Sequence, residues 1–159
     1  MIMEKYIETY LETYQSFPKL NNVKLLWHNG YWDGPINGVC NVDGNKCWYE
    51  RIEDWNDKNQ YPHEDDLSYG DFSPPWNRRY LVHKLSKKQY ETILARHLKF
   101  NSMVGGHCDY DEDGKRTAFH YNDKITPATS NQYYQEQKRE EPYDPSPESE
   151  DLIIGWFEE

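Results

Sequence analysis

The stretch that decides the fold is "GVCNVDGNKCWYERI", residues 38–52, which predicts a β-hairpin. Asp43-Gly44 suits a two-residue type I′ turn, because both central residues of that turn need a positive φ. The resulting register pairs Val42 with Asn45, Asn41 with Lys46, and Cys40 with Cys47. We expect the two facing cysteines to be thiols, since the cytosol is reducing; a redox or metal role is the alternative.

Strand patterns continue on both sides of this hairpin. "VKLLWHNGYWDGPINGVC", residues 23–40, reads as short strands joined by tight turns. "RRYLVHKL", residues 78–85, is apolar on both faces, which predicts a central strand. "HCDYDEDGKRTAFHY", residues 107–121, predicts a second Asp-Gly hairpin, and "DLIIGWF", residues 151–157, a terminal strand.

Two stretches have the apolar spacing of amphipathic helices. One is "EKYIETYLETYQSF", within an N-terminal helix spanning 1–18 and ended by Pro18. The other, residues 86–100, begins with Ser86 as cap and Gln89 completing a capping box, and ends before Gly105. Its predicted buried stripe is Tyr90, Ile93, Leu94, His97 and Leu98.

These elements predict one α+β domain over residues 1–159. It has a small twisted antiparallel sheet with two helices packed on it. A sheet curled into an SH3-like barrel is a variant of this prediction. Residues 54–78 predict a long acidic surface loop, because they are rich in Pro, Gly and Asn and have no period. Residues 122–150 read as loop and tail with at most one helical turn, and 136–150 form an acidic segment before the terminal strand.

Composition indicates a folded cytoplasmic protein. The mean hydropathy is -1.12, which is low for a folded protein. However, 16% of the residues are aromatic, whereas disordered chains contain few aromatic residues. We expect Trp27, Trp48 and Tyr49 to belong to a core built from rings. There is no apolar run of ~18 residues and no charged-then-apolar leader, which predicts no membrane partner. The three cysteines have unrelated spacings, unlike a secreted disulfide framework.

The net charge of -10 argues against binding to duplex nucleic acid, which requires a basic face. Residues 136–159 carry a charge of -7 and residues 53–71 a charge of -6, so the rest of the chain is weakly basic. Both acidic segments would serve solubility. They would also steer a basic protein partner.

"DYDEDG", residues 109–114, has the spacing of half a calcium loop, with Asp109, Asp111 and Asp113 as candidate ligands. Position 12 of such a loop would be His120, a poor ligand for a hard ion. The same letters describe the exposed tip of a hairpin. We therefore expect no cofactor, with a weak divalent cation site as the alternative.

Rings and carboxylates coincide in and near the long loop, which predicts a binding surface rather than an enzyme active site. The candidate binding residues are Trp32, Asp33, Trp55, Tyr61, Asp65, Asp66, Trp76, Arg78 and Arg79. The predicted function is stoichiometric occupation of a basic protein, as an immunity or counter-defence inhibitor does. One alternative is an aromatic-lined sponge for a small ligand or nucleotide, with Arg78 and Arg79 as phosphate donors. The other is a metal-dependent hydrolase using His107, Asp109 and Asp111.

Five motifs in order carry a resemblance: "WDGPINGVC", "DGNKCWY", "RRYLVHKLS", "HCDYDEDGKR" and "IIGWF". The chain resembles a group of small uncharacterised bacterial and phage-associated proteins with a W/Y-D-G-P turn. The resemblance covers roughly residues 23–159 and departs from the group at the insert 54–78. It implies no activity, cofactor or catalytic residue.

Overall fold

Five antiparallel strands form one sheet in which each strand lies beside the one before it in sequence. This computed structural model describes residues 14–29, 37–55, 77–106, 108–117, 124–141, 143, 145–147 and 149–158. The strands are β1 (Val23–Asn29), β2 (Asn37–Val42), β3 (Asn45–Trp55), β4 (Asn77–Lys84) and β5 (Ile153–Glu158). The helices are α1 (Lys87–Met103) and α2 (Pro127–Gln137), and short 3-10 turns cover Tyr14–Ser16 and Glu150–Leu152. The α+β class is confirmed.

The β2–β3 hairpin has the predicted turn and register. Asp43 and Gly44 have φ values of 52° and 85°, the positive values that a type I′ turn needs. Cys40 is paired with Cys47, and both are free thiols. The predicted register is therefore confirmed across this hairpin.

The sheet does not close into a barrel. Within the described residues, β1 and β5 are its outer strands and are not paired with each other. A single parallel bridge joins Lys19 to Trp156 of β5. On the other side, Asp109 forms an isolated antiparallel bridge with Trp27 of β1. The SH3-like variant of the fold is thus absent from the described part of the chain.

Rings build the core on both faces of the sheet, as the composition predicts. On one face Tyr49, Tyr80 and Phe157 are in mutual contact, with centroids 5.0–5.9 Å apart. On the opposite face Trp27 and Trp48 pack with residues of α1. Successive strand residues point to opposite faces, so Trp48 and Tyr49 serve different halves of the core. The interpretation of Trp27, Trp48 and Tyr49 as core rings is confirmed.

Helix α1 begins as predicted. The Ser86 hydroxyl accepts a hydrogen bond from the Gln89 amide at 3.1 Å, and the Gln89 side chain accepts from the Ser86 amide at 3.0 Å. Ile93 and His97, one turn apart, are buried, but Leu98 is 56% exposed. The prediction of Leu98 as buried is wrong, because it lies about 100° around the helix from His97, beyond the packed arc.

Helix α2 occupies a region that the sequence analysis assigned to loop and tail. Its start has clear chemistry: Thr126 caps the helix, Thr129 completes a capping box, and proline stands in the first turn. Only Tyr133 is buried along its length. A helix that buries one residue shows no apolar stripe, which explains why periodicity missed it.

Parts of the predicted elements lie outside the described residues. The strands of the β3–β4 hairpin extend to Trp55 and begin at Asn77, so the ends of the predicted loop 54–78 are strand residues. Of the N-terminal helix predicted over 1–18, the described part begins at Tyr14, which is buried against Trp156. None of the described helices has the length and apolar character needed to cross a membrane.

Candidate functional site

A cavity of about 360 Å³ lies between the sheet face that carries Trp27 and Trp48 and the two helices. This volume falls in the range of small-molecule sites, roughly 300–1,000 Å³. Six of its lining residues are large rings, namely Trp27, Trp48, Phe100, Tyr133, Tyr134 and Tyr143. The cavity is therefore suited in size and lining to a small molecule with an apolar, planar body.

Strand β1 and residues 108–110, the first arm of the second Asp-Gly hairpin, form one wall of the cavity together. The amide of His28 donates to the carbonyl of Cys108 at 3.0 Å, and the amide of Tyr110 donates to the carbonyl of Leu26 at 3.0 Å. These bonds hold the first arm of the hairpin beside β1. They place Asp109 next to the helix that forms the facing wall.

Four side chains join this wall to α1 through one stacked pair of rings and hydrogen bonds to a carboxylate. The rings of Trp27 and His97 are nearly parallel, at 6°, with centroids 4.3 Å apart. His97 Nε2 lies 2.7 Å from Asp109 Oδ1, and Asn101 donates to Asp109 Oδ2 at 2.9 Å. Because Asp109 and Asn101 fix the imidazole in place, the Trp27 ring is supported on one face by a rigid neighbour.

Trp27 lines the cavity, and its indole N–H is a buried donor. Trp27 is only 5% exposed, and its Nε1 atom has no acceptor among the described residues. A buried donor without an acceptor costs about 1–3 kcal/mol. An acceptor atom on a ligand would remove that cost.

Arg96 supplies the positive charge of the cavity. Its guanidinium lies 5.6 Å from the centroid of the Tyr143 ring, and Nη2 donates to the Glu141 carbonyl at 3.2 Å. Among the described residues that line the cavity, none is an aspartate or a glutamate. Burial raises the pKa of Tyr133, so this phenol remains a neutral hydrogen-bonding group at neutral pH.

Most of the predicted binding residues cannot be placed against this cavity. Trp32, Asp33, Tyr61, Asp65, Asp66 and Trp76 lie outside the described residues. Trp55 ends β3, and its pairing partner is Asn77. The hypothesis of a basic protein partner held by the long loop therefore stays a prediction.

The two predicted arginines lie on β4, away from the cavity lining. Arg79 Nε donates to Glu158 Oε1 at 2.8 Å, and the guanidinium also bonds the Tyr14 hydroxyl. It lies 5.7 Å from the ring centroids of both Tyr14 and Trp156. Arg79 thus joins β5 and the N-terminal segment to β4.

The three candidate metal ligands do different things. Asp109 bonds α1, as described above. The Asp111 carboxylate accepts from the amides of Asp113 and Lys115, both at 2.9 Å, inside the turn. Across the described part of the chain, no three His, Cys, Asp or Glu side chains are grouped to hold a metal ion. The hairpin interpretation accounts for the Asp111 bonds, whereas the Asp109 carboxylate is bound by His97 and Asn101 of α1.

Several acids of the C-terminal segment are paired within the chain. Lys99 lies 2.9 Å from Glu136 and 3.3 Å from Glu140, and Glu158 is bonded by Arg79 and Lys19. These ion pairs lower the pKa of Glu136, chiefly through the Lys99 hydrogen bond. The described acidic segment is thus partly engaged in holding the two helices and β5.

The sequence analysis assigned several lining residues to core faces but did not predict a cavity between them. Trp27 and His97 were assigned to core faces, 70 positions apart. A local signal did exist: His97 and Asn101 are one turn apart on α1, so both can reach a single carboxylate. Which carboxylate they reach depends on tertiary packing.

No family model, curated protein or solved structure matches this chain.

Proposed function

We propose that this protein binds a planar aromatic small molecule in the cavity between the sheet and helices α1 and α2. The observation that carries the proposal is a ring-lined space of about 360 Å³ with the Arg96 side chain in its lining. Binding sites combine an apolar, aromatic lining with a few polar groups that set orientation. This cavity has both.

The rings supply the affinity in this proposal. Aromatic pairs are favourable at centroid distances of about 4.5–7 Å, beyond the gain from buried area. Trp27 already has one face covered by His97. A planar ligand against the remaining rings would gain the same kind of contact at little entropic cost, because the wall is already ordered.

Holding a ligand fits the geometry better than the hydrolase alternative. A metal-dependent hydrolase would need Asp109 and Asp111 to share an ion. Asp109 is instead hydrogen-bonded to His97 and Asn101, and Asp111 to the amides of its own turn. The proposed role is therefore the holding of a small ligand, as in the sponge alternative, but with a site that does not include Arg78 and Arg79.

The test fills the mouth of the cavity. Gln137 lines it from α2, whereas Gln135 on the same helix is exposed and does not line it. Isothermal titration with 2-naphthamide should show binding to the wild type and to Gln135→Trp. Gln137→Trp should bind about tenfold more weakly, as expected for the loss of a contact worth ~1.4 kcal/mol.

Native mass spectrometry of freshly purified protein adds a direct readout, because a retained small molecule would appear as a mass adduct. If 2-naphthamide at millimolar concentration gives no heat, no rise in melting temperature and no adduct, the proposal is wrong. Equal affinity of the two tryptophan variants would place the site elsewhere.

A further inference from the structure

Resting on the proposed function, we infer that the cavity selects planar aromatic anions, with the anionic group bound by Arg96. The inference joins three observations: the charge of the lining, the hydrogen bonds of Arg96, and the engagement of His97. Each bears on which groups a ligand must present.

The lining has the opposite charge balance from the molecule. The chain carries a net charge of -10, yet the described lining contains Arg96, His28 and His97 and no carboxylate. Arg96 is thus the one residue of the described lining with a fixed formal charge, and that positive charge favours an anion beside it.

Arg96 has N–H donors that no described residue uses. A guanidinium carries five N–H donors, and the Glu141 carbonyl takes one of them, from Nη2. Among the described residues Arg96 has no carboxylate partner, whereas Arg79 is paired with Glu158 and Lys99 with Glu136. Its guanidinium carbon lies 5.6 Å from the centroid of the Tyr143 ring, a cation–π contact. That arrangement suits a bidentate carboxylate.

His97 is not the anion-binding group, because Asp109 occupies its Nε2. An anion placed beside Asp109 would be repelled, so the geometry directs it to the Arg96 end of the cavity. The remaining N–H groups of Arg96 can only donate. They therefore need acceptor atoms on the ligand, which an anion supplies and an ammonium group does not.

The experiment compares three probes on one ring: 2-naphthoate, 2-naphthamide and 2-naphthylmethylammonium, titrated calorimetrically at neutral pH. We expect naphthoate to bind at least about tenfold more tightly than naphthamide, as a charge-assisted hydrogen bond predicts. The ammonium probe should be the weakest. Raising the salt concentration should weaken naphthoate binding only modestly, because a partly buried pair is screened less than a surface pair.

Arg96→Gln should remove the preference for naphthoate, so that naphthoate and naphthamide bind this variant with affinities within about twofold of each other. Lys99→Gln is the matched control: it lies on the same helix, loses the same charge, and does not line the cavity. It should keep the preference. A merely structural role of Arg96 would weaken both probes equally in Arg96→Gln, and thermal unfolding of that variant reports its folding directly.

The outcomes distinguish the inference about anions from the proposed function. If naphthamide binds and naphthoate has no advantage, or if Lys99→Gln loses the preference as fully as Arg96→Gln, the inference is overturned and the proposed function stands. If none of the three probes binds, both are overturned. Preference for naphthoate that disappears only in Arg96→Gln supports the inference.

Discussion

The two Asp-Gly turns of this chain share a dipeptide and fold differently. At Asp43-Gly44 both residues have positive φ, and the turn joins strands with six successive residue pairs. At Asp113-Gly114 only the glycine has positive φ, 77°, and the described arms meet in one bridge, Tyr110 with Arg116. The second Asp-Gly dipeptide therefore does not form the type I′ turn of the first.

The cause lies in what flanks each dipeptide. The Asp111 carboxylate accepts two turn amides, and the Gly114 amide bonds the Asp111 carbonyl at 3.0 Å, so the chain reverses over three residues. The first turn is held by burial of both strands, with Cys40 and Cys47 fully inaccessible. Burial of both strands stabilises the first hairpin, whereas hydrogen bonds within the turn stabilise the second.

The largest expected contrast is in stability. Tyr49 of the first hairpin is 0% exposed, and its hydroxyl donates to the Trp27 carbonyl at 3.0 Å. Tyr49→Ala should lower the free energy of unfolding by about 3–5 kcal/mol, because it removes a buried ring and opens a cavity. Tyr110→Ala, at a half-buried position beside His28, should cost less than half as much. Urea denaturation measures both, and equal losses would contradict the contrast.

A smaller effect should separate the two turn aspartates. Asp43 has φ of 52°, a region that alanine adopts at greater cost, and its carboxylate accepts from Asn22. Asp43→Ala should destabilise by about 1 kcal/mol. Asp113→Ala, at an exposed residue with negative φ, should change stability by less than about 0.5 kcal/mol. Chemical denaturation measures the free energy of unfolding of both variants. A larger loss in Asp113→Ala than in Asp43→Ala would contradict this prediction.

The smallest effect concerns pH. Burial raises the pKa of Cys47 from its ordinary 9.0 to about 11, and burial followed by the nearby Cys47 raises the pKa of Cys40 still more. Since the folded state holds these protons longer than the unfolded chain, their contribution is complete below pH 9 and is lost as the pH rises toward 11.

Thermal denaturation at a series of pH values should therefore show a shallower alkaline fall in Cys47→Ala than in the wild type. Parallel curves above pH 9 would mean that the thiol pair adds nothing to the pH dependence. The difference between the two proteins, not either curve alone, is the quantity to read, because tyrosines and lysines titrate in the same range.

Local chemistry explains what the sequence predicted correctly. Asp43-Gly44 specified a register, Ser86 with Gln89 specified a helix start, and apolar residues on both faces of 78–85 indicated a central strand. Helix α2 was missed because Tyr133 is its one buried residue. The cavity was missed because it depends on Trp27 meeting His97, which no local spacing specifies. The predicted binding loop lies largely outside the described residues, so its rings and acids remain a hypothesis.

Both borders of the sheet are already occupied by backbone from the same chain. Leu20 donates to the Trp156 carbonyl at 2.7 Å along β5, while Cys108 and Tyr110 bond β1. Free N–H and C=O groups on a border strand are what lets another polypeptide add a strand, in recognition or in aggregation. At these positions that route is blocked, so any macromolecule that associates here must be recognised by side chains.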